Sequence, residues 1–320
     1  MASKGFTADD VPDQSGKTFL VTGANSGIGF ETARALAKRG ARVLLACRDR
    51  AKAETAMARI RAETPRADLA FLPLDQADIE SIRDAAALAS KEPRIDALIN
   101  NAGLTVPTRK LTRQGFEVQF GVNHFGSFAL TALMLPKLRE TPGSRIVITS
   151  SGQHKGAKIE WDDLNAEKSF RAIPRYGASK LANLLFLFEL NRRLQAAQVP
   201  VTALGCHPEL AGTNFGREST AGKIAMSLAG VFLNTPAMGA WGTLHAATGN
   251  VKPGAYYGPT AMFELRGPSR ECVPTSEARD PQLARRLWDI SVSMTSIDPG
   301  LALADTATPQ HIPTVGAVQH

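Results

Sequence analysis

The sequence predicts a single-domain α/β fold in which helices cover both faces of a doubly wound parallel sheet. Three observations point there. Short β-branched or apolar runs alternate with Ala-rich helical patterns through the first two-thirds of the chain. The strand runs are apolar nearly throughout, as strands buried on both faces are. No linker divides the alternation, so the domain is expected over residues 15–298, between flexible tails at 1–14 and 299–320.

The strand candidates, in order, are KTFLVTG (17–23), ARVLLAC (41–47), ADLAFLPL (67–74), IDALINN (95–101), SRIVITSS (144–151) and VPVTALGC (199–206). Between them lie stretches with helical periodicity, such as GFETARALAKRG and IESIRDAAALASK. RYGASKLANLLFLFEL (175–190) reads as a long buried helix. After Cys206 the rhythm breaks into a Gly/Thr-rich and then apolar stretch. A short strand candidate in GAYYGP and an amphipathic helix over 280–294 follow.

The length of 320 residues supports a sizeable core. The net charge of +7 is spread along the chain, with no basic block or interleaved aromatics. That argues against nucleic acid and suits a small polyanionic ligand. Cys47, Cys206 and Cys272 are too few and too scattered for a disulfide framework, and no cysteine–histidine cluster suggests a metal. No signal-peptide stretch is visible, and no run reaches the roughly 18 apolar residues of a membrane span. A cytoplasmic protein is expected.

TFLVTGANSGIGFETARAL places Gly23, Gly27 and Gly29 between a strand and a helix. Glycines there allow a tight turn and close backbone approach to a pyrophosphate, while the helix N-terminus offers free N–H groups. Asn25 and Ser26 add polar side chains to this turn. Strand before and helix after are the context a Rossmann-type dinucleotide turn requires.

The spacing G-x-x-x-G-x-G, the INNAG of 99–103 and Tyr-x-x-x-Lys at 176–180 together resemble the short-chain dehydrogenase/reductase family. The likeness runs over about residues 16–260. LLACRDRAKAE, VNHFGSFALT, YGASKLANLLF and RLWDIS are similar to segments of its retinol dehydrogenase and protochlorophyllide reductase members, and carry it to about residue 294. The resemblance implies a nicotinamide cofactor held at Gly23, Asn25, Ser26, Gly27, Ile28 and Gly29. It also places Asp75 and Gln76 beside the adenine and Asn101, Ala102 and Gly103 against the adenosine ribose side.

In such folds an acid ending the second strand selects NAD, and a base there accepts the 2′-phosphate of NADP. Here the strand ends on Cys47 and Arg48 follows. A guanidinium matches phosphate geometry and a thiol cannot take the ribose contact, so NADP(H) is expected, with Arg50 and Lys52 in support. Asp49 competes, since one residue of register shift would restore an acid.

Hydride transfer at a carbinol carbon must be matched by proton transfer at its oxygen. A tyrosine is poorly acidic until a nearby ammonium favours its phenolate. Lys180, one helical turn from Tyr176, is spaced to provide that charge. The family resemblance makes Tyr176 the proton donor and acceptor, and has Lys180 bind the nicotinamide ribose. It makes Asn123 the residue that shapes its helix and supports the relay. It also implies a serine at the end of the fifth strand that orients the substrate oxygen. Ser151 matches better and Ser150 competes; adjacent strand residues face opposite sides, so one alone should serve.

Pro208 and Thr213 match the pattern around the nicotinamide carboxamide, but Glu209 replaces the family's glycine between them. A carboxylate there brings bulk and charge, unless it turns to solvent. The variable segment of about 208–240 should cover the substrate, and IAMSLAGVFL within it suggests an apolar lid for a bulky lipophilic carbonyl or alcohol. The expected function is alcohol–carbonyl interconversion. Carbon–carbon double-bond reduction with the same tyrosine and lysine is the alternative, and a non-catalytic dinucleotide-binding protein a third reading. A homodimer or tetramer is compatible with the resemblance.

Overall fold

The computed structural model describes residues 5–208, 235–261, 264 and 266–303. Its strands are β1 (Thr18–Thr22), β2 (Arg42–Cys47), β3 (Leu69–Pro73), β4 (Ala97–Asn100), β5 (Arg145–Thr149), β6 (Thr202–Cys206), β7 (Tyr256–Ala261) and β8 (Arg266–Cys272). They form one sheet in the order β3-β2-β1-β4-β5-β6-β7-β8, parallel through β7 and antiparallel at β8. All six early strand expectations hold, shortened where the chain turns: β1 stops at Thr22 because Gly23 takes a φ of +66°.

The helices are α1 (Gly27–Lys38), α2 (Arg50–Glu63), α3 (Ile79–Ala89), α4 (Ser127–Arg139), α5 (Ala172–Ala196), α6 (Pro236–Thr248) and α7 (Pro281–Thr295). A single turn, Val118–Phe120, leads through a π-helical segment, Gly121–Gly126, into α4. Strand residues alternate between two cores. Leu20, Leu98, Ile146 and Ile148 pack with α3, α4, α5 and α7. Phe19, Val21, Ile99 and Val147 pack with α1, α2 and α6. This period of two is what makes the sheet doubly wound.

Two expectations about the ends need correction. Residues 5–14 are not a loose tail: Phe6 forms an antiparallel bridge with Ser269 of β8, and Val11 and Gln14 are buried. The apolar anchors are too few to read as a periodic element, so only the tertiary partners reveal the packing. At the other end Leu301 is buried and its carbonyl accepts from Arg193 Nη1 at 2.8 Å, so order extends past 299. β8 itself was not expected. Its RGPSREC sequence is polar and holds Gly and Pro, which an edge strand tolerates.

No described helix is long and apolar enough to cross a membrane, and the described residues include no group of three or more potential metal-ligating His, Cys, Asp or Glu side chains.

Candidate active site

The ends of β1, β4, β5 and β6 converge on the sequence-predicted residues. Gly23 leaves β1 with a φ of +66° and Gly27 opens α1 with a φ of +56°, both in the region that favours glycine. A Cβ on Gly29 would stand 2.4 Å from the Gly23 carbonyl oxygen and 2.5 Å from Asn101 Nδ2. Only glycine fits there. Ser26 sits in extended backbone before α1 and makes no side-chain capping bond, which leaves the first helical amides to an anion. The turn therefore has the shape and donors a dinucleotide pyrophosphate needs.

Asn101 ties this turn to the loop after β4. Its Nδ2 donates to the Thr22 carbonyl at 2.8 Å, and the amides of Asn101 and Ala102 both donate to Thr22 Oγ1, at 3.0 and 2.9 Å. Thr22 escaped the sequence reading because its partners lie far along the chain. Past the loop, a Cβ on Gly103 would meet Lys180 Nζ at 3.1 Å and Asn123 Oδ1 at 3.3 Å, so these three predicted positions come together.

At the rim beyond β2, the Arg48 side chain is 78% exposed, and its Nη1 lies 3.7 Å from Asp75 Oδ2. Asp49 serves α2 instead, accepting from the Lys52 amide at 3.0 Å and pairing with Lys52 Nζ at 3.2 Å. Those bonds hold its carboxyl below the usual range. Arg50 lies 4.5 Å over the Phe71 ring. The Cys47 thiol is pushed up to about 11 by burial, with the Asp49 charge adding to it. Gln76 is buried, and its Nε2 donates to Ser127 Oγ at 3.3 Å, joining the loop after β3 to α4.

Asn123 lies in the π-helical segment, 0% exposed. Its Oδ1 accepts from the Leu104 amide at 2.8 Å, while its Nδ2 donates to the Leu104 carbonyl at 3.0 Å and to Ser179 Oγ at 2.9 Å. The two adjacent serines separate cleanly. Ser150 is buried and donates to the Lys180 carbonyl at 2.8 Å. Ser151 is only partly buried and begins the short turn Gly152–His154, accepting from the Gln153 amide at 3.3 Å. His154, not foreseen, holds that turn with Nδ1 on the Ser151 carbonyl at 2.7 Å; a carbonyl only accepts, so Nδ1 carries the proton.

Lys180 is 3% exposed on α5. Its Nζ donates to the Thr149 carbonyl at 3.2 Å and lies 5.5 Å from the centre of the Tyr176 ring. Burial lowers its pKa to about 8. Asn183 Nδ2 donates to the same carbonyl at 3.0 Å. This second donor sits three residues past Lys180 inside an apolar run, a spacing that marks it as a helical neighbour. Pro208 follows the buried His207 beyond β6. Thr213, Glu209 and the IAMSLAGVFL stretch lie outside the described residues.

The geometry agrees with what the chain is similar to. The short chain dehydrogenase family model matches residues 17–223. Retinol dehydrogenase 14 of Mus musculus is 41% identical over 300 residues, covering 88% of this chain and 86% of the relative. Retinol dehydrogenase 12 of Mus musculus is 40% identical over 286 residues, with 88% and 87% covered. A crystal structure of an uncharacterized protein from Mycobacterium Paratuberculosis superposes with a TM-score of 0.78 at 37% identity, covering 93% of this chain and 100% of that one. On these findings the chain belongs to the short-chain dehydrogenase family of oxidoreductases and resembles its retinol dehydrogenases.

Proposed function

We propose that the chain interconverts an alcohol and a ketone or aldehyde with NADP(H), on a bulky lipophilic substrate, with Tyr176 moving the proton at the substrate oxygen. Lys180 carries the reading. It is buried, held by a neutral carbonyl, and has no ion pair among the described residues. A buried ammonium without a counter-charge is costly, and is retained where its charge acts on a neighbour. Beside the Tyr176 ring that charge favours the phenolate. Tyr176 Oη thus releases a proton to a carbonyl oxygen in reduction and takes one from an alcohol in oxidation. Ser151 Oγ orients that oxygen. Asn123 holds the loop at Leu104 against α5, which supports the proton relay to Lys180.

The glycine turn fits a dinucleotide. Gly23, Asn25, Ser26, Gly27, Ile28 and Gly29 would hold its pyrophosphate, and Asp75, Gln76, Asn101, Ala102 and Gly103 its adenosine side. Lys180 would bind the nicotinamide ribose, with Pro208 and Thr213 near the carboxamide. Arg48, exposed and only loosely paired, would exchange Asp75 for a 2′-phosphate. A bound nicotinamide would supply the hydride in one direction and accept it in the other.

The retinol dehydrogenase relatives make retinaldehyde the first substrate to test. NADPH consumption over retinaldehyde, bulky ketones and enones is expected on carbonyl groups. Reduction of enones at the double bond while matching ketones stay inert would favour the alternative chemistry. Equal kcat/KM with NADH would remove the cofactor preference, and near-normal turnover in Tyr176→Phe would remove the mechanism.

A further inference from the structure

Glu117 and Arg175 form an ion pair, 2.9 Å from Nε to Oε2, with side chains 0% and 5% exposed. Each stands at the root of a helical segment bearing a proposed catalytic residue. Glu117 caps the turn Val118–Phe120, its oxygens accepting from the amides of Gln119 at 2.8 Å and Phe120 at 3.0 Å. That turn runs directly into the segment of Asn123. Arg175 immediately precedes Tyr176 in α5.

The start of α5 needs such an anchor. Its N-cap residue, Arg171, makes no side-chain capping bond, and uncapped first turns fray unless tertiary contacts hold them. Three contacts do so besides the ion pair: the Arg175 guanidinium lies 4.9 Å over the Phe120 ring, Gln119 Nε2 donates to the Ala172 carbonyl at 3.2 Å, and Arg175 Nη1 donates to the Asp163 carbonyl at 3.5 Å. The first two lead, through the turn Val118–Phe120, to the Asn123-bearing segment. Stability alone does not explain the pair, because burying two charges offsets most of their attraction and apolar replacements are often neutral. A guanidinium–carboxylate contact supplies direction, since its planar donors accept few relative orientations.

We propose that Glu117 and Arg175 are positioning residues for Tyr176: their buried pair sets the first turns of α5 against the Asn123 segment and so fixes where the phenol lies relative to Lys180. This rests on the reading of Tyr176 as the proton-transfer group.

The chain has three tyrosines, so NMR of protein labelled at tyrosine Cζ reads the Tyr176 phenol without any substrate, assigned by Tyr176→Phe. Wild-type Tyr176 should titrate well below the ordinary value of about 10. Glu117→Gln with Arg175→Met removes both charges, yet keeps a capping acceptor and fills the space. In this double variant the Tyr176 midpoint should rise by about one pH unit with little change in Tm. Turnover of any carbonyl the wild type reduces should fall about tenfold or more, as small misplacements do. Arg175→Met alone leaves a buried unpaired carboxylate and should lose stability, which separates the two effects. Should the double variant not fold, Arg175→Lys keeps both charges without the planar contact, and the midpoint should still rise. A folded variant with an unmoved midpoint and full turnover overturns the inference. An ordinary wild-type midpoint overturns the Tyr176 assignment itself, and the positioning role with it.

Discussion

The two halves of the sheet solve different problems with different materials. Around β1–β3 the candidate binding features are backbone: two glycines at positive φ, a third with no room for a Cβ, and uncapped amides at the start of α1. Side chains enter at the rim, where Arg48 is exposed and pairs loosely with Asp75. Around β4–β6 the features are buried side chains locked by hydrogen bonds, Asn123 and Lys180 foremost. A site made of backbone tolerates change in its surroundings and fails only when its shape is filled. A site made of buried polar side chains couples activity to the fold itself, since an orphaned partner costs about 1–3 kcal/mol.

The sharpest break of this contrast is Tyr176→Phe, which should lower kcat by about 10²–10⁴-fold while NADPH affinity and Tm stay near wild type, read by steady-state kinetics and fluorescence titration. Gly29→Ala should act in the other half. The added methyl must displace the Gly23 carbonyl or Asn101, at about 1–3 kcal/mol, and NADPH Kd should rise about tenfold. If cofactor binding is unchanged, the turn is not the phosphate site. Arg48→Ala should weaken NADPH by about 1.5–3 kcal/mol at most and leave NADH binding and Tm unaltered. A matching loss with NADH would assign Arg48 to something other than the 2′-phosphate.

The smallest effect concerns pH. Lys180 titrates near 8 when folded, against an ordinary 10.5. Between those values the unfolded chain binds more protons, so this residue makes stability rise with pH across that window; below about 8 both states hold the proton and the slope vanishes. Urea unfolding between pH 8 and 10 should show a steeper rise in wild type than in Lys180→Met, by at most about 1.4 kcal/mol per pH unit. Parallel slopes would mean that Lys180 is solvated.

Local patterns were legible and distant partnerships were not. The glycine turn and the Tyr176/Lys180 spacing lie within one or two helical turns, and the sequence alone placed them on a strand–helix junction and a long helix. The choice between Ser150 and Ser151 depended on alternation; in the structure Ser150 is buried on the Lys180 carbonyl and Ser151 is partly exposed. Thr22 with Asn101 and Glu117 with Arg175 are joined across 79 and 58 positions, and no periodicity reports such pairs. β8 stayed hidden for a different reason: on a sheet edge, little of its sequence needs to be apolar.

The bridge between Phe6 and Ser269 has a consequence for how the chain is made. Phe6 donates to and accepts from Ser269 at 2.8 Å in both directions, on the outer edge of β8, and its ring stacks on His245 at 4.6 Å. Phe6 is synthesised long before Ser269, so it must wait for a partner that lies far along the chain. Until Ser269 emerges, Phe6 lacks its strand partner and the far edge of the sheet does not exist. Closure of this edge is a long-range step, and one pair of hydrogen bonds joins segments made far apart in time.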